Sequence, residues 1–269
     1  MAQPFEPSGI VTLTTDFGRG DYYTAAVRGV ILSIERTLEV ISATHHIPPQ
    51  NVLSAAYVLD NFAFEFPAGT VHVVAVDPGV GSQRNCLCCL MKGQAFVGPD
   101  NGFLSFVLQR GVSEAWLVAP GRLSRERCAP TFHCRDLFAP VAAFLAAGRL
   151  RPWDLGPRHS PFVLPGLRAT ATGNVLRGLV VHVDSFGNLI TNIPCDGLDF
   201  RRLREVKVAG RVVDLVGEFY VEHPAGSLIA MPGDTGRLEI AEVMGSAARA
   251  LSACQGMEVI VILEAEPRP

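Results

Sequence analysis

The sequence predicts a two-domain protein: an α/β first domain whose mostly parallel sheet is flanked by helices, and a smaller all-β, barrel-like second domain. In the first 150 residues, short apolar segments rich in β-branched residues alternate with segments whose apolar residues recur at helical spacing. That alternation is typical of a parallel sheet covered by helices on both faces. After residue 171, short strand-like segments are separated by turns, which is typical of a sandwich or barrel.

The first predicted strand is Ile10–Thr15, an apolar run that ends at a polar loop containing glycine. Helical spacing of apolar residues then predicts a helix over Asp21–Ser33, and Thr70–Val76 is a further apolar strand. Ligands of such sheets bind beyond the carboxyl ends of the strands, so the residues after these two strands are the first candidates for a site. The other predicted elements are the strands Leu38–Ser42, Cys86–Met91, Ala95–Val97 and Ala115–Val118 and the helices Asn51–Phe64, Phe103–Gln109 and Leu137–Ala147.

Prolines mark the boundary between the predicted domains. Four of them fall between residues 152 and 165, so we predict domains over 1–150 and 172–269, joined by a linker over 151–171. One short helix, Ala247–Ala253, is predicted in the second domain. The predicted strands there are Gly173–Val183, Leu189–Ile193, Glu205–Val208, Arg211–Leu215, Leu228–Met231, Leu238–Ala241 and Glu258–Glu264.

The composition favours a globular protein without a nucleic-acid or membrane partner. Of the 269 residues, 48% are hydrophobic and 18% are charged, and the net charge is −3. A chain of this balance has enough apolar surface for a core and offers no basic face. The sequence shows no apolar run of membrane-spanning length and no signal-peptide pattern, so we expect a cytoplasmic protein. The spacing of Cys86, Cys88 and Cys89 indicates a core strand rather than a zinc site.

Polar residues, glycine and proline concentrate in a few segments near predicted strand ends. Asp77 and Arg84 share a glycine-rich loop that can bend so that carboxylate and guanidinium meet, and an aspartate beside an arginine keeps its charge. His133 would add a group able to move a proton near neutral pH. A structural ion pair that pins the loop is the alternative interpretation. The segments are residues 14–21, 77–84, 98–102, 131–136 and 184–193.

Other known site patterns fit this chain less well. The glycines near residues 18–20 and 79–81 do not complete a dinucleotide fingerprint, and neither a phosphate loop nor a Gly-x-Ser-x-Gly motif is present. A metal-dependent hydrolase is the main alternative at this point. Its site would combine nitrogen and oxygen ligands from His45, His46, Asp16, Asp21 and Asp77.

At these five segments the sequence resembles the S-adenosylmethionine (SAM) hydrolase family, also called SAM hydroxide adenosyltransferases, which is related to the fluorinases and chlorinases. The segments read TTDFGRGD, DPGVGSQR, GPDNG, TFHCRD and DSFGNLITNI, and the likeness extends from Val11 to about Leu263. The resemblance implies an α/β domain followed by a β-barrel, and hydrolysis of SAM to adenosine and methionine by attack of water or hydroxide on the ribose C5′. It implies no metal or other cofactor, and a homotrimer with sites at subunit interfaces.

The resemblance also implies roles for individual residues. The hydrolytic aspartate, arginine and histidine of the family fall on Asp77, Arg84 and His133. Asp16 matches the carboxylate that binds the ribose hydroxyls. The remaining substrate contacts match Asp21 and Asp184 at the methionine end and Phe186 and Asn188 at the adenine.

Two further alternatives follow from the same resemblance. In the halogenating relatives the positions matching Asp77 and His133 are both tyrosines, and a carboxylate would repel a halide, so the residues here favour water. A SAM- or adenosine-binding sensor without turnover is the second alternative, and retention of all three catalytic positions speaks against it. The chain departs from the hydrolases at Cys134, where they usually have glycine, and this side chain would narrow the pocket or alter how His133 sits.

Overall fold

The computed structural model describes residues 4–119, 121, 123, 128–213 and 215–264. By its internal contacts the chain divides into two compact units, Met1–Leu164 and Pro165–Pro269. The first unit is built on a mixed sheet with helices, and the second on a largely antiparallel, barrel-like sheet, which confirms the predicted fold class. Within the described part of the chain, no helix has the length and apolar character needed to cross a membrane.

A six-stranded sheet forms the first unit, in the order β2-β1-β3-β5-β4-β6. Pairing is parallel from β2 to β5, whereas β4 is antiparallel to both of its neighbours. The antiparallel part arises because β4 and β5 form a hairpin. Its turn residues Lys92 and Gly93 both have positive φ, as a two-residue hairpin turn requires. The strands are β1 (Ile10–Thr15), β2 (Glu39–Thr44), β3 (Val71–Ala75), β4 (Cys86–Met91), β5 (Gln94–Pro99) and β6 (Ser113–Leu117).

Helices cover both faces of this sheet. The helices are α1 (Tyr23–Ile34), α2 (Val52–Phe62) and α3 (Ala139–Ala146). The helices α1 and α3 contact each other and share a buried core with Val11 and Leu13 of β1, while α2 shares the opposite core with Val74. Asn51 caps α2, because its side chain accepts a hydrogen bond from the backbone N–H of Ser54.

Two predicted helices differ from the structure. The helix predicted over Phe103–Gln109 is largely wrong, since turns occupy most of this range and a short 3₁₀ helix forms at Val107–Arg110. Its large apolar side chains are buried, so their spacing reflects core packing rather than a helical face. The helix predicted over Leu137–Ala147 begins earlier, as a π-helix at Cys134–Phe138 that continues into α3.

A nine-stranded sheet forms the second unit, in the order β11-β10-β15-β8-β9-β14-β13-β12, with β7 beside β8. The long strand β8 pairs with β15 along its first half and with β9 along its second, so it joins the two halves of the sheet. One short helix, α4 (Ala247–Ala250), packs against β14. The strands are β7 (Thr170–Thr172), β8 (Val175–Val183), β9 (Leu189–Pro194), β10 (Leu203–Val208), β11 (Arg211–Val213), β12 (Leu215–Val216), β13 (Leu228–Pro232), β14 (Arg237–Glu242) and β15 (Glu258–Leu263).

Candidate active site

Two of the predicted site loops leave neighbouring parallel strands at the same edge of the first sheet. The strands β1 and β3 pair with Thr15 opposite Ala75. Asp16 follows β1 directly, and Asp77 follows β3 after one buried valine. Because parallel strands end at a common edge, the backbone alone brings these two carboxylates to one place.

Asp77 and Arg84 form a two-pronged ion pair across their loop. Arg84 Nε donates to Asp77 Oδ1 over 2.7 Å, and Arg84 Nη2 donates to Asp77 Oδ2. Each side chain is 10% exposed, so the pair is well shielded from water. Burial alone would lower the pKa of Arg84, but its interactions with Asp77 and Cys86 together outweigh burial and raise it. The guanidinium is therefore a fixed positive charge at this loop.

His133 joins this pair from a distant part of the sequence, with its Nδ1 3.0 Å from Arg84 Nη2. A guanidinium is a hydrogen-bond donor and has no acceptor, so Nδ1 accepts and carries no proton. Burial, followed by the positive charge of Arg84, lowers the pKa of His133. The ring is therefore neutral at pH 7, and its one proton lies on Nε2. His133 thus presents an N–H donor at the nitrogen that faces away from Arg84.

A π-helix that contains a buried aspartate follows His133. His133 immediately precedes the π-helix Cys134–Phe138. The fully buried Asp136 accepts from the guanidinium of Arg135 through both oxygens at 2.7 Å, and from the backbone N–H of Ala129 at 2.8 Å. Helical turns of this kind are frequent at functional sites, and this one joins the histidine directly to residues of the core.

Asp77 and His133 meet at a cavity of about 220 Å³ in the first unit. Asp16, Asp77 and His133 all line it. Asp16 Oδ2 accepts a hydrogen bond from the backbone N–H of Gln50 at 2.8 Å, which orients this carboxylate. The aromatic part of the lining comes from Phe17, Phe132 and Phe138. A cavity that combines carboxylates with apolar walls suits a cationic organic ligand.

Asp21 stays outside this arrangement, since it lies exposed in the bend before α1 and is not among the residues that line the cavity. The alternative metal site is not assembled either. His45 Nδ1 lies 2.9 Å from Thr15 Oγ1, and His45 Nε2 lies 2.8 Å from Ser42 Oγ, so both ring nitrogens are engaged by hydroxyl groups. In the described ranges, no three His, Cys, Asp or Glu side chains group together in a way that would hold a metal ion.

The predicted residues of the second unit share the turn between β8 and β9. Asp184 Oδ1 accepts from the backbone N–H groups of Phe186 and Asn188, both at 2.9 Å, and Asp184 Oδ2 accepts from the side-chain amide of Asn188 at 3.0 Å. Asp184 therefore organises this turn. Asn188 is buried, whereas the ring of Phe186 is 76% exposed, so an ordered turn presents an aromatic ring to solvent.

The structure adds residues that the sequence analysis does not identify. The backbone N–H of Gln50, a residue with a φ of 63°, donates to Asp16. Only the position of Gln50 in the loop after β2 could have pointed to it in the sequence. Arg84 Nη1 donates to Cys86 Sγ at 2.9 Å and to the carbonyl of Asn85 at 3.3 Å. Cys134, in contrast, is named in the sequence analysis, and it is buried and lines the cavity, so a thiol occupies space there that a glycine would leave open.

Two family models match the chain. The model of the SAM hydroxide adenosyltransferase N-terminal domain matches residues 11–156, and that of the SAM hydroxide adenosyltransferase C-terminal domain matches residues 178–260. Among similar proteins, the (R)-S-adenosyl-L-methionine hydrolase of Thermus thermophilus is 36% identical and covers 93% of this chain and 98% of its own length. The protein of the same name from Methanocaldococcus jannaschii is 30% identical and covers 90% of this chain and 92% of its own length.

The chain is also similar to a solved structure and, less closely, to a halogenating enzyme. An uncharacterized conserved protein from Thermotoga maritima superposes with a TM-score of 0.86 at 36% identity, covering 94% of this chain and 99% of its own. A fluorinase from an Actinoplanes species is 28% identical and covers 71% of this chain and 73% of its own length. This chain is therefore more similar to the hydrolases than to that fluorinase.

Proposed function

This chain belongs to the SAM hydroxide adenosyltransferase family, and we propose that it hydrolyses SAM to adenosine and methionine at the cavity lined by Asp77 and His133. The observation that carries this proposal is that Asp77 and His133 line one cavity and are joined by Arg84, which donates to both, although the arginine and histidine are 49 residues apart in sequence. The catalytic and binding roles below are parts of the same proposal.

The reaction needs alignment more than activation of the leaving group. SAM is a sulfonium, so its ribose C5′ already carries a good leaving group. The oxygen of water forms a bond to C5′, the C5′–S bond breaks with its electron pair going to sulfur, and one proton is released. Holding a nucleophile in line with a reacting carbon is worth roughly 7–11 kcal/mol, which is the contribution that a rigid cavity wall supplies.

The three polar groups divide this task between them. Asp77 accepts the hydrogen bond and then the proton of the attacking water, because each of its oxygens keeps a lone pair beside the bond from Arg84. His133 donates from Nε2 to the oxygen of that water and orients its lone pair toward C5′. Arg84 holds both partners in place, and its positive charge favours the hydroxide form of the water as the proton leaves.

The remaining candidate residues bind the substrate in this proposal. Asp16, oriented by Gln50, accepts hydrogen bonds from the two ribose hydroxyls. Asp21 and Asp184 attract the ammonium group at the methionine end, since a carboxylate is the preferred partner of a cation. Adenine contacts come from Phe186 and Asn188. SAM is thus the substrate, and the proposed chemistry requires no metal or other cofactor.

We also propose a homotrimer with substrate sites at subunit interfaces, as the resemblance implies. In such an assembly a neighbouring subunit would cover the exposed ring of Phe186, and removing apolar surface from water is favourable. Light scattering after size-exclusion chromatography is expected to give three times the chain mass of 28.9 kDa. A monomer mass at micromolar concentration would contradict the assembly.

Halogenation is the less favoured reaction. A carboxylate in the cavity wall repels a halide at the point where the nucleophile must sit, and Asp77 lines that wall. We therefore expect the products with SAM to stay adenosine and methionine when chloride or fluoride is added.

The proposed function is tested by mixing the purified protein with SAM in the presence of a chelator and separating the products by chromatography. Equal amounts of adenosine and methionine are expected, at an unchanged rate when the chelator is left out. The absence of adenosine from both reactions would contradict hydrolysis. Adenosine formed only without chelator would support the metal-dependent alternative.

A further inference from the structure

The loop that carries Asp77 and Arg84 joins two strands that are not neighbours. It leaves β3 and enters β4, and β5 lies between these strands in the sheet. Pro99 at the end of β5 pairs with Cys86 at the start of β4, and β3 and β5 are parallel. The loop therefore passes over the end of β5, where the segment Asp100–Gly102 begins.

This segment bonds to the backbone at both ends of the loop. Asn101 Nδ2 donates to the carbonyl of Val76 at 2.9 Å, and the backbone N–H of Asp100 donates to the carbonyl of Asn85 at 2.9 Å. Val76 directly precedes Asp77, and Asn85 directly follows Arg84. The two bonds thus fix the backbone next to each partner of the ion pair.

The segment Asp100–Gly102 is held in turn by contacts with residues 159–164. Asp100 Oδ2 lies 2.6 Å from His159 Nε2, and Asp100 Oδ1 accepts from the backbone N–H of Phe162 at 2.7 Å. Gly102 has a φ of +99°, and a Cβ there would lie 2.6 Å from Leu164 Cγ, so the turn needs glycine and packs closely on the chain beyond it.

We infer that Asn101 is a positioning residue for the hydrolysis proposed above: its amide holds the Val76 carbonyl so that Asp77 meets Arg84 and His133 at the cavity. The inference rests on the proposed function. Between its two ends the loop has no buried residue and contains Gly79 and Gly81, which give it freedom to shift. A misplacement of about 1 Å at a reacting group costs on the order of 10²-fold in rate.

Two substitutions separate the hydrogen bond from packing. Asn101→Ala removes the amide, and Asn101→Asp keeps its size but places an oxygen against the Val76 carbonyl. In both variants we expect kcat for SAM hydrolysis to fall by about 10- to 100-fold while the Kd of SAM changes by less than about threefold. Asn101→Asp should be impaired at least as strongly as Asn101→Ala, whereas a packing role predicts that it is the milder of the two.

The matched control is Asn61→Ala in α2. Asn61 Nδ2 also donates to a backbone carbonyl, that of Tyr57, at 2.7 Å, but Asn61 is not among the residues that line the cavity. Asn101 does not line the cavity either, but its bond goes to Val76 beside Asp77, whereas the bond of Asn61 stays within α2. This variant is therefore expected to keep the kcat of the wild type. Thermal unfolding midpoints, measured for all variants, allow each kcat to be taken well below the midpoint. Should Asn101→Ala not fold, Asn101→Ser, which is smaller but polar, is judged by the same kcat and Kd criteria.

The outcomes distinguish this inference from the proposed function. If the wild type forms no adenosine from SAM, the proposed function fails and the positioning role fails with it. If the wild type is active and the Asn101 variants keep kcat within about twofold, the positioning role alone is overturned. The same holds if their only defect is weaker binding of SAM.

Discussion

Two aspartate–arginine pairs in the first unit have the same bonding but different surroundings. Arg110 Nε and Nη2 donate to Asp60 Oδ1 and Oδ2 at 2.8 and 2.9 Å, which repeats the two-pronged arrangement of Asp77 and Arg84. The Asp60 side chain is 1% exposed, even less than that of Asp77 at 10%. The arginines differ more, since Arg110 is 43% exposed and Arg84 is 10% exposed.

The comparison shows that an ion pair alone does not mark a site. What sets Arg84 apart is a histidine partner: it donates to His133 as well as to Asp77, beside a cavity that His133 and Asp77 both line. Asp60 lies within α2 and Arg110 ends a 3₁₀ helix, so their pair connects two elements of the core. We therefore expect substitutions at Asp77 to change turnover and substitutions at Asp60 to change stability.

The largest expected effect comes from Asp77→Asn. This change keeps the shape of the side chain but removes the charge that pairs with Arg84 and the group that accepts the proton of water. We expect kcat to fall by about 10³-fold or more, with the Kd of SAM nearly unchanged. Adenosine release by chromatography and titration calorimetry with SAM measure the two quantities. Wild-type turnover in this variant would remove Asp77 from the mechanism.

The next effect is that of His133→Ala, which removes the N–H donor to the attacking water and the partner of Arg84. We expect a loss of about 10²-fold in kcat, smaller than at Asp77 because the proton acceptor stays. His133→Gln, which keeps an amide donor, should recover part of the loss. If both variants are as active as the wild type, His133 does not orient the water.

The pH dependence of turnover sharpens the same comparison, because His133 belongs to one pair and not to the other. Burial and then the charge of Arg84 lower the pKa of His133 below its ordinary value of 6.5. The neutral form of the ring thus predominates above pH 6.5, and protonation of Nδ1 at lower pH breaks its bond from Arg84. Because this pKa is that of the free enzyme, we expect kcat/KM to be highest at neutral pH and to fall as the pH drops through the lowered pKa. The remaining activity of His133→Gln should not show this fall at low pH. If the fall persists in that variant, it is caused by the protonation of another group.

The smallest expected effect on turnover is that of Asp60→Asn, the matched counterpart of Asp77→Asn. We expect kcat within about twofold of the wild type and a loss of about 1 kcal/mol in the free energy of unfolding. The loss is modest because water solvates much of Arg110 once its partner is neutral. Urea unfolding followed by circular dichroism measures the stability. A strong loss of kcat at full stability would mean that the two pairs do not differ in the way we describe.

The sequence predicts the fold well where local patterns and sheet position agree. The strands β1 and β3 are found almost as predicted, because apolar β-branched runs in a parallel sheet have few alternatives. The segment Phe103–Gln109 is misread as a helix, because its buried side chains are fixed by packing in turns and their spacing is not decisive. The π-helix at Cys134 has no signal in composition or spacing.

The candidate site is predicted in part for similar physical reasons. The meeting of Asp77 with Arg84 follows from one short glycine-rich loop, and the sequence shows that loop directly. The approach of His133 to Arg84 depends on how elements distant in sequence pack together. The grouping of His133 with Asp77 and Arg84 is expected from the family resemblance. The contact of Gln50 with Asp16 uses a backbone N–H, which every residue except proline carries, so no residue type points to it.

The central claim is that Asp77, Arg84 and His133 present a water molecule to the ribose C5′ of SAM. The most direct test is turnover in water labelled with oxygen-18, followed by mass spectrometry of both products. The account predicts one labelled oxygen in the 5′-hydroxyl of adenosine and none in methionine. Unlabelled adenosine, or label found in methionine, would contradict attack of water at C5′.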